Sequence, residues 1–300
     1  LGQNLFSEIA SNEGGAVQAA DLSETILERA QHPPLFFRHY RADDEKARMV
    51  IVHGLGEHSG RYLELADHLA ALGISLWILD LRGHGQSGGK RGHVDSFDDY
   101  ARDVGDILDQ ARIEDAGKVP MFLLGHSMGG LVSILTALQH QDQLDGLVLS
   151  SPAVGVAAHL PIYKKVALRC LARVAPRLGI NNELDPKHVS RDPVTVKRYM
   201  ADPLVHDRVS TNWYVQFMAA IEQVFNHSAE LQLPTLIQAA GDDRLVSTKA
   251  VEHFFEKLVM PDRQLTVYQD LFHEIYNETE SERQTVIAAL TAWLQNRIAA

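Results

Sequence analysis

The stretch Met121-Phe-Leu-Leu-Gly-His-Ser-Met-Gly-Gly130 decides how the rest of the chain reads. An apolar run from Val119 to Leu124 ends in Gly125-His126-Ser127-Met128-Gly129, and a helical pattern of Leu131, Ile134, Leu135 and Leu138 follows. Strand, G-x-S-x-G and helix in that order describe a serine carried on a sharp strand-to-helix turn. Such a turn strains the backbone, so the residues two before and two after the serine must be small, as Gly125 and Gly129 are. It holds the hydroxyl above the sheet edge, while the helix start aims free N–H groups at negative charge developing nearby. The bland alternative is a glycine-rich loop whose serine merely caps the helix. The flanking elements and a third glycine, Gly130, favour the catalytic reading.

Outward from this turn the chain alternates between strand and helix. Thr25–Ala30 and Leu35–Tyr40, split by His32-Pro33-Pro34, read as a strand pair at a sheet edge. Short apolar strands are expected at Met49–Val52, Ser75–Asp80, Gly146–Ser150, Pro234–Ala239 and Gln264–Tyr268. Helices are expected over Leu63–Leu72, from a cap at Asp95-Ser96 to about Glu114, over Thr248–Val259, and over Ser281–Ile298 with Ser281-Glu-Arg-Gln284 as a capping box. The alternation breaks between Pro152 and Leu231, where a helical pattern runs without a convincing strand. The expected fold class is α/β, a mostly parallel central sheet flanked by helices, with a helical cap inserted between two strands. The expected organisation is a tail over 1–22, a core over 23–151 and 232–300, and a cap over 152–231.

Composition narrows the function. A net charge of −11 over 300 residues argues against nucleic acid as a partner. No apolar run is long enough to span a bilayer. Cys170 stands alone, so no disulfide framework or cysteine-based metal site is expected, which fits a cytoplasmic protein. A chain starting at Leu1 rather than Met keeps a processed, secreted or periplasmic form open.

A serine hydroxyl needs a base to take its proton, and the base needs a carboxylate to hold its tautomer. On this kind of sheet, both partners follow later strands in the order acid, then histidine. Gly241-Asp242-Asp243-Arg244 follows one such strand and Leu271-Phe272-His273-Glu274 the next. His273 is the candidate base, since His227 lies in the cap and His253 in a helix. Asp243 is the first candidate acid, with Asp242 and then Asp270 behind it. Two main-chain N–H groups must hold the oxyanion. They are assigned to Met128, next to the serine, and to Leu55 in His53-Gly-Leu-Gly56.

His53-Gly-Leu-Gly-Glu-His-Ser-Gly-Arg-Tyr62, Asp80-Leu-Arg-Gly-His-Gly-Gln-Ser87, Arg91-Gly-His-Val-Asp-Ser-Phe97 and the serine turn itself carry a resemblance. Together they are similar to the signature of monoacylglycerol lipase and lysophospholipase-like serine hydrolases of the α/β-hydrolase superfamily. Ser190-Arg-Asp-Pro193 and Ala201-Asp-Pro-Leu-Val-His206 resemble bacterial members, and the similarity runs from about residue 24 to 298. It implies the triad Ser127, Asp243 and His273, oxyanion donors at Leu55 and Met128, and hydrolysis of a single-chain acyl ester. It also implies that no metal and no cofactor take part. Leu55 departs from the family, where a smaller residue is common, and is expected to narrow the pocket mouth.

Glu57, His58 and Arg61 either hydrogen-bond a head-group hydroxyl or brace the loop. Asp80, Arg82 and His84 read as an ion pair bracing a turn, and Tyr62 as packing. The segment Ala158–Gly179 carries Lys164, Lys165, Arg169, Arg173 and Arg177 with no acid, interleaved with Leu160, Ile162, Val166, Leu168, Leu171 and Val174. It reads either as a basic amphipathic helix making peripheral contact with an anionic membrane or as a solvated helix with its apolar face over the pocket. The expected substrate is a monoacylglycerol, followed by a lysophospholipid or a broader range of carboxylic esters. An aminopeptidase or amidase would need Glu183, Asp185, Asp192 or Asp202 to hold an amine, and a slow-turnover ligand receptor is the rival outside enzymes.

Overall fold

The computed structural model describes residues 21–113, 119–157 and 161–299. Most of the expected tail, Glu114, and residues 158–160 at the start of the basic segment lie outside them. The strands are β1 (Asp21–Leu27), β2 (Leu35–Arg41), β3 (Ala47–Val52), β4 (Ile74–Leu79), β5 (Met121–His126), β6 (Gly146–Ser150), β7 (Gly179–Asn181), β8 (Arg208–Ser210), β9 (Thr235–Ala240) and β10 (Arg263–Tyr268). The helices are α1 (Leu63–Ala70), α2 (Asp98–Ile113), α3 (Met128–His140), α4 (Ile162–Val174), α5 (Pro193–Ala201), α6 (Thr211–Asn226), α7 (Thr248–Lys257) and α8 (Glu280–Ile298).

Eight strands form one sheet in the order β1-β2-β4-β3-β5-β6-β9-β10. β1 and β2 pair antiparallel at one edge, β2 also runs antiparallel to β4, and the rest of the sheet is parallel. β3, β4 and β5 are buried at every position, as a sheet covered on both faces requires. Their alternate side chains serve two separate cores. Val50, Val52, Met121 and Leu123 pack with α2 and α3, whereas Met49, Ile51, Phe122 and Leu124 pack with α1 and α8. The chain leaves β3 for β4 on one side and returns to β5 on the other. The carboxyl ends of β3 and β5 therefore flank a switch point, where open α/β sheets hold their ligands.

Between β6 and β9 the chain inserts α4, β7, α5, β8 and α6. This insertion is not purely helical as the pattern suggested, because β7 and β8 pair antiparallel from Gly179↔Ser210 to Asn181↔Arg208. Three-residue strands are too short to display alternation. α6 sits on the core through Trp213 and Phe217, which stack at 4.9 Å and meet Phe97 at 5.7 and 5.9 Å. Each such side chain stabilises by roughly 1.5–3 kcal/mol relative to exposure.

Boundaries follow local chemistry. α1 stops two residues earlier than expected, and the chain turns through Gly73 at φ +87°, whose N–H donates to the Ala70 carbonyl at 3.0 Å. α8 starts at Glu280, so Ser281 does not cap it. Thr279 takes the N-cap position instead, its hydroxyl donating to Glu282.

Candidate active site

Ser127 lies between β5 and α3 with φ 53° and ψ −121°, a conformation costing a non-glycine residue about 1–3 kcal/mol. Its surroundings hold it there. Its N–H donates to the Ser150 carbonyl at 2.9 Å, and its carbonyl accepts from Gly130 and Ala153, each at 2.9 Å. A Cβ at Gly129 would collide with the Val52 and His53 carbonyl oxygens, and one at Gly125 with Ser133 and the Gly129 carbonyl. Within 121–130, Ser127 is the residue that reaches partial exposure.

Beyond β10, His273 directs Nδ1–H to Asp243 Oδ2 at 2.7 Å. Asp243 Oδ1 accepts from the Leu245 and Val246 N–H groups, both at 2.9 Å, so the carboxylate is fixed before it meets the imidazole. Asp242 instead faces Arg244 at the surface, and Asp270 is exposed. The His273 ring lies 4.8 Å from that of His126, the residue before Ser127, which puts it beside the turn. Burial alone would lower the His273 pKa. The Asp243 charge and hydrogen bond, with Glu274 and Glu57 behind them, outweigh burial and raise it above the ordinary value. For Asp243, burial pushes upward, but the His273 charge and the N–H donors win and hold it low. Burial and the neighbouring His273 bring His126 down to about 4, so it stays neutral at physiological pH.

The loop after β3 comes close to the serine turn, since a Cβ on Gly54 would lie 3.2 Å from Ser127 Cβ. Gly54 N–H is engaged by Glu57 Oε1 at 2.6 Å and Ser127 N–H by Ser150. Among the described residues, the next amides along, Leu55 and Met128, make no hydrogen bond. Met128 opens α3, where an unpaired N–H is the normal condition.

Glu57, Arg61, Tyr62 and Glu274 form one buried network. Arg61 bonds Glu57 at 2.7 Å and grips Glu274 with two bonds of 2.6 Å, while the Tyr62 hydroxyl donates to Glu57 at 2.8 Å. Burial pushes the Glu57 pKa up, but the Arg61 charge, with His126, His53 and the Gly54 N–H, holds it at about 2. Tyr62 thus does more than pack. His58 Nε2–H reaches Asp202 in the insertion at 2.8 Å, and Arg61 lies 4.7 Å from the Tyr199 ring of α5. Glu274 and Tyr199 were given no role from the sequence, and Asp202 was weighed there only as a possible amine-holding carboxylate. Glu274 follows the candidate base directly, which was the one available signal.

Asp80 and Arg82 do not pair with each other. Asp80 accepts from the Ser59 and Gln86 N–H groups at 2.7 Å, whereas Arg82 bonds Asp103 of α2 at 2.6 and 2.7 Å. Two residues apart on a turn, the two side chains diverge, and the helix supplies the nearer acid. Among the described residues no group of three His, Cys, Asp or Glu is arranged to hold a metal ion. Among them, too, no helix is long and apolar enough to cross a membrane.

Proteins with this sheet order, a helical insertion after β6 and a serine held on such a turn form the class of α/β-fold serine hydrolases, and this chain is one of them. Residues 43–280 match the family described as "Serine aminopeptidase, S33", and the chain belongs to that family. It is 34% identical over 254 residues to a monoglyceride lipase homolog of Monkeypox virus, covering 84% of this chain and 91% of that one. It is also 34% identical over 245 residues to phospholipase YtpA of Bacillus subtilis, covering 81% and 93%. Among solved structures, Paleococcus ferrophilus monoacylglycerol lipase matches at a TM-score of 0.80 and 33% identity, over 88% of this chain and 99% of that one.

Proposed function

We propose that this protein hydrolyses monoacylglycerols to fatty acid and glycerol through an acyl-enzyme. The observation that carries the reading is the imidazole of His273, held by Asp243 beside a serine on a strained turn. With Nδ1–H bonded to Asp243, Nε2 of His273 is the unprotonated nitrogen. It takes the Ser127 proton as Oγ attacks the ester carbonyl carbon. The Leu55 and Met128 N–H groups hold the resulting oxyanion. The tetrahedral intermediate collapses as His273 protonates the glycerol oxygen. Water, deprotonated by the same imidazole, then releases the fatty acid and restores Ser127. Monoacylglycerol is favoured by the kinship with proteins named for that activity, at 33–34% identity.

A lysophospholipid is the second reading. The similarity to phospholipase YtpA supports it. An aminopeptidase is not favoured, because most of the carboxylates it would need are engaged. Asp185 and Asp192 cap local turns, and Asp202 bonds His58. Residues 152–231 serve as the cap over a core formed by 23–151 and 232–300. α4 has no buried residue and exposes Ile162, Tyr163 and Val166 among its lysines and arginines. That face suits peripheral contact with an anionic membrane from the cytoplasmic side.

The test is steady-state hydrolysis of matched monoacylglycerols, lysophospholipids and amino-acid amides, with Ser127→Ala as control. Monoacylglycerol turnover that vanishes in the variant is expected. Activity retained by Ser127→Ala, or a single slow turnover, would refute the reading. Sedimentation with anionic and neutral vesicles tests the α4 face, and binding indifferent to lipid charge and salt would remove it.

A further inference from the structure

The cap does more than lie over the loop that follows β3. A Cβ at Gly56 would collide with the His206 carbonyl oxygen, so the cap backbone rests directly on the loop, and Gly56 holds φ +75° to allow it. His206 N–H donates back to the Gly56 carbonyl at 2.9 Å. Four residues earlier, Asp202 Oδ2 accepts from His58 Nε2–H at 2.8 Å, while its Oδ1 is held by the Leu204 N–H at 2.8 Å. His58 Nδ1 accepts from Gly60 N–H at 3.2 Å, which fixes the tautomer that can donate to Asp202.

A second line of contacts reaches the same loop from the His206 side chain. Its ring packs 4.9 Å from His84, which packs 5.1 Å from His53. His53 accepts from Leu81 N–H through Nε2 and so donates through Nδ1 to the Gly54 carbonyl at 2.7 Å. That carbonyl belongs to the same planar trans peptide as Leu55 N–H, and the two point in opposite directions. Fixing one aims the other. Leu55 is therefore bracketed, by His53 on the Gly54 carbonyl of the peptide that carries its N–H and by His206 on the Gly56 carbonyl two peptides further on.

We infer that the Asp202–His206 turn of the cap orients the Leu55 N–H, and that Asp202 is a positioning residue for oxyanion stabilisation. The inference rests on the donor role proposed for Leu55. Seating of the cap and stabilisation of the transition state are then one event, and loosening this turn costs turnover rather than substrate affinity. Removing an oxyanion donor outright costs on the order of a hundredfold to a thousandfold in kcat, so a donor left in place but misaimed costs about tenfold.

The experiment compares Asp202→Ala, Asp202→Asn and Asn212→Ala on a short, soluble nitrophenyl ester. Asn212 Nδ2 donates to the Val94 carbonyl at 2.8 Å, another cap-to-core bond that does not touch the loop, so it controls for loss of stability alone. Asp202→Ala is expected to lower kcat about tenfold with KM nearly unchanged. It should weaken inhibition by an alkylboronic acid, whose tetrahedral adduct places an oxygen at the oxyanion position, by a similar factor. Asp202→Asn, whose single oxygen can still accept from His58 but not also from the Leu204 N–H, should restore part of both. Asn212→Ala should lower Tm and leave kcat in place. A kcat loss in Asp202→Ala no larger than in Asn212→Ala, or an effect confined to KM, would overturn the inference. If Asp202→Ala does not fold, His58→Asn, read by the same kcat and boronate criteria, decides it. Failure of the hydrolase reading itself shows separately, as wild-type and Ser127→Ala enzymes of equal activity.

Discussion

Replacing Arg61 with Met should destabilise the protein in a way that depends on pH. Arg61 is buried between Glu57 and Glu274, whose side chains are 4% and 5% exposed. In the folded protein Glu57 titrates at about 2 rather than the ordinary 4.5, and Arg61 is the largest influence opposing burial. That difference corresponds to about 3 kcal/mol of stability. The pKa is depressed, so this contribution is complete above 4.5 and is lost as pH falls from there towards about 2. Breaking a buried pair by removing one partner costs about 3–5 kcal/mol by independent reasoning, because an uncompensated charge stays behind. In Arg61→Met the Glu57 carboxylate faces burial without the cation that opposed it, so burial pushes its pKa up. The deficit is then greatest at neutral pH and shrinks as Glu57 takes up a proton. Urea unfolding followed by tryptophan fluorescence at pH 7 and pH 5 measures both effects. A deficit below about 1 kcal/mol at pH 7, or one equal at the two pH values, would refute the argument.

Three further outcomes are expected. Ser127→Gly should lose turnover yet unfold at a higher temperature than Ser127→Ala, because glycine relieves the positive φ and alanine does not. Catalysis requires neutral His273, so kcat/KM should fall as pH drops through a value above 6.5; Asp243→Asn should move that limb to lower pH and reduce kcat by about 10⁴. Gly129→Ala should destabilise by roughly 1–3 kcal/mol or more, read from chemical denaturation, since its Cβ would press on the backbone carbonyls of Val52 and His53.

The sheet was legible because two-sided burial forces continuous apolar runs, as in Leu76–Leu79 and Met121–Leu124, that no exposed segment would carry. The serine turn was legible because its geometry tolerates so few residues. Pairings across the fold were not. Arg82 bonds Asp103 rather than nearby Asp80, and Tyr62 carries a hydrogen bond where only packing was expected, because a partner's identity depends on how elements are brought together. β7 and β8 escaped notice for want of length, and the contacts of Asp202 for a related reason. It meets His58 across 144 residues of chain, a distance no local pattern spans.

The two long helices of the insertion are secured very differently. α6 commits Trp213, Phe217, Ala220 and Val224 to the same core that holds α2 and α3, whereas α4 rests against α6 and buries nothing of its own. Lifting α6 would expose two aromatic rings and a valine at a cost of several kcal/mol, comparable with the stability of a whole domain. Peeling α4 away would cost far less. The insertion is therefore tied to the core through α6, while α4 is held only at second hand, through its packing on α6.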